Sequence, residues 1–247
     1  MAALQGKRAV VTGGSRGIGR AIVERLARDG AAVVFSYASN AEAAAQVEKV
    51  VAEAGGRAHA VRADLAEAGA AERLMEIAEE RLGAVDILVN NAALSFTPAP
   101  LAELDEELYD QAMTVNARAV FLTVRHAARH MPDGGRIINI STLNTTRPAP
   151  GIAPYAASKG AVEQLTAVAA MELGARGITV NTVSPGATDT DLLRGTNSAE
   201  ALETAAQVTA LGRLGQPADV ADVVAFLAGP DARWITSQNI HATGGLA

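Results

Sequence analysis

Short runs of apolar, mostly β-branched residues alternate with longer alanine-rich amphipathic stretches along nearly the whole chain. Strands that are almost entirely apolar are buried on both faces, and a helix after each one is typical of a parallel sheet. The expected strands are Arg8–Thr12, Ala32–Ser36, Ala58–Arg62, Ile87–Asn90, Arg136–Ile140, Thr179–Val183 and Asn239–Ala242. The expected helices are Ile18–Arg28, Ala41–Ala54, Ala68–Arg81, Glu106–His130, Tyr155–Ala175 and Pro217–Leu227. Because βαβ crossovers are right-handed, the pattern predicts an α/β fold, a single-domain doubly wound (Rossmann-type) parallel sheet of about seven strands with helices on both faces.

Two irregular stretches interrupt this alternation, the Pro- and Thr-rich Thr142–Pro154 and the polar Ser184–Ala206. Both follow the carboxyl ends of expected strands, where open α/β sheets bind their ligands. We therefore expect both to border a site, and the second to form a substrate lid at about residues 186–212. Since no linker or internal repeat separates a second half, residues 1–247 are expected to form one domain.

The composition excludes several classes of protein. The chain has no cysteine, which excludes a disulfide scaffold, a Cys-ligated metal site and thiol catalysis. Its net charge of −6 disfavours a nucleic-acid partner. The longest apolar runs fall far below the ~20 residues that span a bilayer, and the N-terminus lacks a signal-peptide core. We expect a cytoplasmic protein with no nucleic-acid or membrane partner.

A glycine-rich segment, Thr12–Gly19 (T-G-G-S-R-G-I-G), joins the first expected strand to the first expected helix. Glycines at such a turn let the backbone approach a pyrophosphate, whose charge the helix N-terminus stabilises. Alone, the segment also fits a simple glycine-rich turn, but its position in the first βαβ unit favours dinucleotide binding. Its spacing is Gly-x-x-x-Gly-x-Gly rather than Gly-x-Gly-x-x-Gly.

This spacing resembles the cofactor loop of the short-chain dehydrogenases/reductases. Three later stretches, in order along the chain, agree with motifs of that family. Asn90–Ala93 resembles its Asn-Asn-Ala-Gly motif, Tyr155-x-x-x-Lys159 resembles its catalytic pair, and Pro185-Gly186 together with Thr190 resembles its nicotinamide-side turn. The resemblance runs from Lys7 to Leu246 and is closest in pattern to the 3-oxoacyl-carrier-protein reductase group, through residues 135–138 and 176–181. The domain is therefore expected to be both dinucleotide-binding and catalytic.

The residues after the second expected strand favour NADP(H) over NAD(H). An NAD site needs an acidic residue about twenty residues past the glycines, to accept the ribose 2′-hydroxyl. Here Tyr37 occupies the place that an Asp has in the family's NAD enzymes, and Glu42 is the first acid. Arg16 is expected to reach a 2′-phosphate, with Ser39 or Asn40 donating hydrogen bonds to it. Ser39 also fits a helix cap, because Ser39-x-x-Glu42 is a capping box.

The resemblance implies further cofactor contacts. Asp64 corresponds to a residue that contacts the adenine amino group, although a turn at the strand end explains it equally well. Ala93 replaces the usual Gly, which would strain the backbone at positive φ and otherwise narrow the pocket slightly. The full set of expected cofactor-binding residues is Gly13, Ser15, Arg16, Gly17, Ile18, Gly19, Tyr37, Ser39, Asn40, Asp64, Leu65, Asn91, Ala92, Tyr155, Lys159, Pro185, Gly186, Thr188 and Thr190.

Tyr155 and Lys159 are the expected acid–base pair for hydride transfer to a carbonyl. A free Tyr has a pKa of ~10, and Lys159, four residues on, shares its helix face and favours the phenolate. The family places a Ser thirteen residues before the Tyr, and Thr142 stands there. Because side chains alternate along a strand, only one of Ser141 and Thr142 faces the site, and the spacing favours Thr142. Asn116 corresponds to the family residue that holds a water linking the Lys to bulk solvent.

These residues predict an NADPH-dependent carbonyl (ketone) reductase or alcohol dehydrogenase. The expected substrate is a small ketone or a 3-oxoacyl/polyketide-type compound. Asp133 disfavours docking of an acidic carrier protein, since such reductases often carry Lys or Arg there. The alternative is a catalytically impaired NADP(H)-binding regulatory or scaffolding protein. Ala93 and Thr142 favour this alternative, and the intact Tyr155, Lys159 and Asn116 oppose it.

Assembly and metal binding complete the predictions. By resemblance we expect a homotetramer, or a homodimer, in which the Glu106–His130 and Tyr155–Ala175 helices form a two-fold bundle and residues 234–246 a second contact. Alternatively these faces pack within the subunit. Trp234 is read as a core or subunit contact. His126 and His130 have a spacing that suits a metal, but no acid lies between them, so we expect a solvated or interface helix face and no metal site.

Overall fold

The computed structural model describes residues 3–246, so Met1, Ala2 and Ala247, at the ends of the predicted domain, lie outside the described residues. Its centre is one parallel sheet in the order β3-β2-β1-β4-β5-β6-β7. The strands are β1 Arg8–Val11, β2 Ala32–Tyr37, β3 Arg57–Arg62, β4 Ile87–Asn90, β5 Arg136–Ile140, β6 Thr179–Pro185 and β7 Asn239–Ala242. The strand order reverses between β1 and β4, which opens a crevice beyond the carboxyl ends of these two strands. The predicted doubly wound sheet is confirmed.

Helices cover both faces of the sheet. They are α1 Gly17–Arg28, α2 Ala41–Glu53, α3 Ala70–Leu82, α4 Glu106–Met113, α5 Ala119–His130, α6 Ala153–Leu173, α7 Asp191–Thr196, α8 Ala199–Val208 and α9 Pro217–Ala228. Side chains alternate across β1: Ala9 and Val11 pack into the core with α1, α2 and α9, whereas Val10 packs with α3, α5 and α6. β1 therefore contributes to both cores, which explains why Ala9, Val10 and Val11 are all apolar.

The predicted helix Glu106–His130 is interrupted. A π-helical turn at Thr114–Arg118 separates α4 from α5 and contains the buried Asn116. A π turn inserts one extra residue into the helical repeat and is frequent at functional sites. Since apolar residues keep nearly the same period on both sides, hydrophobic periodicity alone predicts one continuous helix.

The stretch expected to be an irregular lid contains two helices, α7 and α8. Each has a side-chain N-cap: Thr190 Oγ1 accepts from Leu193 N at 3.3 Å, and Ser198 Oγ accepts from Ala201 N at 3.2 Å. These caps are the local signals that sequence reasoning missed. That the segment moves as a lid stays a prediction.

Several large apolar side chains lie on the surface of the described chain. Trp234 is 96% exposed, so it is not a core residue, and the other expected position, a subunit contact, stays a prediction. The other residues with large exposed apolar surface include Phe121 on α5, Val168 and Met171 on α6, and Phe226 on α9. Within residues 3–246, every helix is too short or too polar to cross a bilayer.

Candidate active site

The glycine loop between β1 and α1 requires glycine at two positions for its backbone conformation and at a third for lack of space. Gly13 and Gly17 have φ values of +67° and +54°, which L side chains rarely adopt. A Cβ on Gly19 would lie 2.1 Å from the Gly13 carbonyl oxygen and 2.4 Å from Asn91 Nδ2. Glycine at position 19 therefore lets the start of α1 pack directly against the loop.

The end of β4 holds this loop in place. Thr12 Oγ1 accepts from the backbone N–H groups of Asn91 and Ala92 at 2.9 and 3.0 Å. In return, Asn91 Nδ2 donates to the carbonyl oxygens of Thr12 and Gly13 at 3.0 and 3.1 Å. Ala93 has no positive φ, so the expected backbone strain at this departure from the family pattern is absent.

The loop is also tied to the end of β2, where the 2′-substituent of a dinucleotide ribose is expected. Gly13 N donates to Ser36 Oγ at 3.1 Å, and Gly14 N donates to the Ser36 carbonyl at 2.8 Å. Arg16 is exposed as the N-cap of α1, just beyond these contacts. A second cation lies nearby, since Arg62 Nε donates to the Ala38 carbonyl at 3.3 Å. Sequence reasoning missed Arg62 because it belongs to the neighbouring strand.

Two expected residues take local structural positions. The N-cap of α2 is Asn40, whose Oδ1 accepts from Ala43 N at 2.9 Å, so the capping box proposed for Ser39 is wrong. Asp64 Oδ1 accepts from Ala66 N at 3.0 Å, as in the strand-end turn that was the alternative to adenine binding. Leu65 is buried beside it.

The turn after β6 lies against the glycine loop, although more than 160 residues separate them. A Cβ on Gly17 would lie 3.3 Å from Thr190 Cγ2. The start of the turn packs on β7, because Gly186 N donates to the Ala242 carbonyl at 3.1 Å and a Cβ on Gly186 would lie 3.0 Å from Thr243 Cα. Thr188 Oγ1 donates to the Gly186 carbonyl at 3.1 Å. The expected nicotinamide-side turn and the expected pyrophosphate loop thus border one crevice.

Tyr155 lies in the first turn of α6, which begins at Ala153, and Lys159 lies one turn further on. Lys159 is buried, and its Nζ donates to the Ile140 carbonyl at 2.8 Å and lies 5.9 Å from the centroid of the Tyr155 ring. Burial lowers the pKa of Lys159 to about 8. Burial also raises the pKa of Tyr155, and a hydrogen bond with the Thr142 side chain opposes that rise.

The two adjacent hydroxyl residues at the end of β5 point in different directions. Thr142 hydrogen-bonds with Tyr155. Ser141 Oγ instead donates to Oε1 of Glu163, which lies one turn beyond Lys159 on α6, at 2.7 Å. This divergence follows from the alternation of side chains in extended backbone. Thr142 is thus the hydroxyl that lies beside the Tyr155 ring.

Asn116 connects the π turn to α6. Its Nδ2 donates to Ser158 Oγ at 3.0 Å, its Oδ1 accepts from Leu94 N at 2.8 Å, and Ser158 Oγ donates to the Tyr155 carbonyl at 2.7 Å. The contact with Ser158 was not foreseen, and the expected link from Asn116 through water to Lys159 stays a prediction.

Phe96 and Glu163 are further residues at this site that the sequence did not single out. The Phe96 ring stacks on the Tyr155 ring with centroids 5.4 Å apart. Glu163 Oε1 accepts from Thr145 Oγ1 at 2.7 Å as well as from Ser141. No local pattern marks Phe96, which lies in a loop, whereas Glu163 shares a helix face with Tyr155 and Lys159, a spacing that could have identified it.

The chain is similar to a known protein family and to solved structures over almost its whole length. A family model described as enoyl-(acyl carrier protein) reductase matches residues 13–247. An uncharacterized oxidoreductase of Methylorubrum extorquens is 45% identical over 251 residues, covering 100% of both chains. A short chain dehydrogenase from Burkholderia cenocepacia, solved in complex with NADP, is 43% identical with a TM-score of 0.94, and 99% of each chain is covered. The promiscuous reductase LugOII, which catalyses keto-reduction at C1 during lugdunomycin biosynthesis, is 46% identical with a TM-score of 0.92 and the same 99% coverage of each chain.

Proposed function

Because the chain belongs to the short-chain dehydrogenase/reductase family, we propose that it is an NADPH-dependent carbonyl reductase, which acts in reverse as an alcohol dehydrogenase. The observation that carries this proposal is the convergence of Thr142, Tyr155 and Lys159 at the carboxyl ends of the strands, beside the glycine loop. The substrate is a small ketone or a polyketide-type carbonyl compound.

The residues of the crevice fit a dinucleotide with a 2′-phosphate. The glycine loop and the start of α1 provide backbone N–H groups for the pyrophosphate, because α1 begins at Gly17, directly after the loop, and a helix N-terminus favours bound anions. Arg16 and Arg62 supply cations near the end of β2, and Tyr37 stands where an NAD site needs a carboxylate. The relative from Burkholderia, solved with NADP, supports the same cofactor. When bound, the reduced nicotinamide supplies the hydride.

Each catalytic side chain then has a defined role. The hydroxyls of Thr142 and Tyr155 bind the carbonyl oxygen of the substrate, where negative charge develops. Tyr155 donates its proton to that oxygen. The Lys159 cation stabilises the resulting phenolate, which offsets the unfavourable effect of burial on ionisation of Tyr155. By this proposal Lys159 also binds the nicotinamide ribose.

The surroundings of the site favour a free ketone over a carrier-bound acyl group. Arg176 forms an ion pair with Asp133 at 2.9 Å, before the start of β5 and far from the carboxyl ends of the strands. It therefore offers no positive charge at the site to an acidic carrier protein. Phe96 covers one face of Tyr155 and offers an apolar wall to the substrate. LugOII, a promiscuous keto-reductase, supports this substrate class. We propose that residues 186–212 form the lid over it.

The protein is proposed to act as a homotetramer or homodimer. Val168 and Met171 expose 56% and 81% of their surface on α6, and Trp234 exposes almost all of its own. Such apolar surface on two separate faces favours two self-association contacts. Light scattering at micromolar concentration that gave the chain mass of 25.3 kDa would contradict this. The cytoplasmic location stays a prediction.

The decisive experiment measures NADPH and NADH oxidation with a panel of ketones and acyl thioesters. We expect turnover with NADPH on at least one ketone, a fall in kcat of on the order of 10²–10³ for Thr142→Ala, and little change for Ser141→Ala. Thr142→Ser retains the hydroxyl and is expected to admit bulkier ketones. Tight NADPH binding without turnover on any member of the panel would instead favour an impaired regulatory or scaffolding protein.

A further inference from the structure

Three metal-ligating side chains come together between α3 and α5. His126 and His130 lie one turn apart on α5, and Glu79 lies on the facing side of α3. One potential ligand atom from each lies within 4.8 Å of the other two. His130 ends its helix shortly before β5 begins, so this histidine cluster lies at the edge where strands start, opposite the candidate active site.

The distances within the histidine cluster match those between ligands of one small cation. His126 Nε2 lies 3.1 Å from Glu79 Oε1, and His130 Nδ1 lies 3.9 Å from Glu79 Oε2. In tetrahedral zinc sites, with ligands at 2.0–2.2 Å, neighbouring ligand atoms are about 3.4 Å apart. The separation of His126 and Glu79 is close to that value, whereas His130 must move closer to Glu79 to reach it.

The buried nitrogen of His126 gives a second, independent indication. Its side chain is 10% exposed, and its Nε2 has no hydrogen bond to any of residues 3–246, because the short contact to Glu79 lacks hydrogen-bond geometry. A buried nitrogen left unpaired costs free energy. A cation placed between this nitrogen and the carboxylate would satisfy both groups.

Access and local charge are compatible with a bound ion. The His130 side chain is 52% exposed, which opens the cluster to solvent and leaves room for water as a remaining ligand. Arg125, the neighbour of His126 on α5, is paired with Glu72 at 2.9 Å. The two imidazoles are stacked with centroids 4.4 Å apart, so His130 must rotate out of the stack to ligate, as its exposure permits.

We propose that Glu79, His126 and His130 form a binding site for a divalent transition metal of the zinc type, which would link α3 to α5 within one subunit. Two imidazoles and one carboxylate suit zinc, whereas magnesium and calcium prefer oxygen ligands alone. The sequence pattern predicted no metal because no acidic residue lies between the two histidines. The acidic ligand, Glu79, lies 47 residues before His126.

Isothermal titration of Zn²⁺ into the chelator-treated full-length protein tests this site. We expect one ion bound per chain, an affinity at least tenfold weaker in Glu79→Gln and in His126→Gln, and no saturable binding of Mg²⁺. His59→Gln, which replaces an exposed histidine on β3, is the matched control and should bind as the parent does. NADPH binding should be the same with and without zinc, since the site lies at the opposite edge of the sheet.

Each variant is also unfolded in the presence of EDTA, and only variants with the unfolding midpoint of the metal-free parent are compared. If His126→Gln fails that criterion, His130→Gln, at a half-exposed position, takes its place and should weaken binding to a similar degree. Absence of saturable zinc binding by the parent would overturn the proposal. So would equal zinc affinity in the parent and in folded variants of all three ligands.

Discussion

Glu163 offers a test of how firmly the chain around Thr142 must be held for catalysis. One oxygen of this carboxylate, Oε1, accepts hydrogen bonds from the hydroxyls of Ser141 and Thr145, with both oxygen–oxygen distances at 2.7 Å. These two residues flank Thr142 in the chain. Thr145 Oγ1 also lies 3.0 Å from the Thr142 carbonyl oxygen, so the single proton of the Thr145 hydroxyl is shared between that oxygen and Glu163. Replacing Glu163 with alanine therefore releases both sides of the proposed catalytic hydroxyl without touching it.

The magnitude follows from the number and type of these bonds. A hydrogen bond to a charged group contributes about 1.5–3 kcal/mol, and two are lost in Glu163→Ala. Because Glu163 is only half-buried, water replaces part of this, and we expect the free energy of unfolding to fall by about 1–3 kcal/mol. A shift of the Thr142 hydroxyl by ~1 Å is worth up to about 10²-fold in rate, so kcat should fall about 10- to 100-fold.

The assay compares kcat, KM and NADPH affinity on one accepted ketone. NADPH affinity should stay within about twofold, because the residue acts on the substrate side of the site. Glu163→Gln retains an acceptor oxygen and should recover most of the kcat. Gln164→Ala, at the exposed neighbouring position, is the control for changes to α6 itself. The reasoning fails if Glu163→Ala and Gln164→Ala have equal kcat, or if Glu163→Ala weakens NADPH binding as much as it lowers kcat.

Three further predictions concern the cofactor loop and the buried lysine. Arg16→Glu should weaken NADPH binding at least tenfold, since an ionic contact to phosphate is worth ~1.5–3 kcal/mol, and tighter binding of NADH than NADPH by the parent would refute the NADP(H) assignment. Gly19→Ala should lower the free energy of unfolding, measured by urea titration, by about 3 kcal/mol, because the added Cβ would clash with the Gly13 carbonyl. Gly160→Ala is the control and should raise the free energy of unfolding by about 0.5–1 kcal/mol, because no atom lies within 4 Å of the added Cβ. Burial lowers the pKa of Lys159 in the folded protein to about 8, whereas its unfolded value is ~10.4. Between these pH values the unfolded chain binds more protons than the folded one, so the free energy of unfolding of the parent should rise with pH relative to that of Lys159→Met. Equal slopes of the free energy of unfolding against pH in the two proteins would contradict this.

The parts of the molecule that sequence predicts are those set by short spacings. The short, continuous apolar runs of the strands and the four-residue step from Tyr155 to Lys159 are local features. Alternation of side chains in extended chain suffices to turn Thr142 and Ser141 in different directions. The π turn was missed because one inserted residue barely changes the hydrophobic period.

Other residues were missed because their partners are distant in the chain. Arg62 contacts Ala38 from the neighbouring strand, and Glu79 contacts His126 from another helix. Phe96 stacks on Tyr155 from a loop that has no recognisable motif. Such pairings depend on how the elements pack, which the periodicity of a single chain does not reveal.

The position of β1 at the centre of the sheet has a consequence for synthesis of the protein. β1 pairs with β2, the next strand to be made, but its other edge pairs Ala9 with Ile87, almost eighty residues later. Until β4 leaves the ribosome, a nascent chain presents the apolar edge of β1 unpaired, which is a template for aggregation. The Asn91 contacts that hold the glycine loop are missing over the same interval. Any ligand of the glycine loop therefore meets an incomplete site until β4 has emerged.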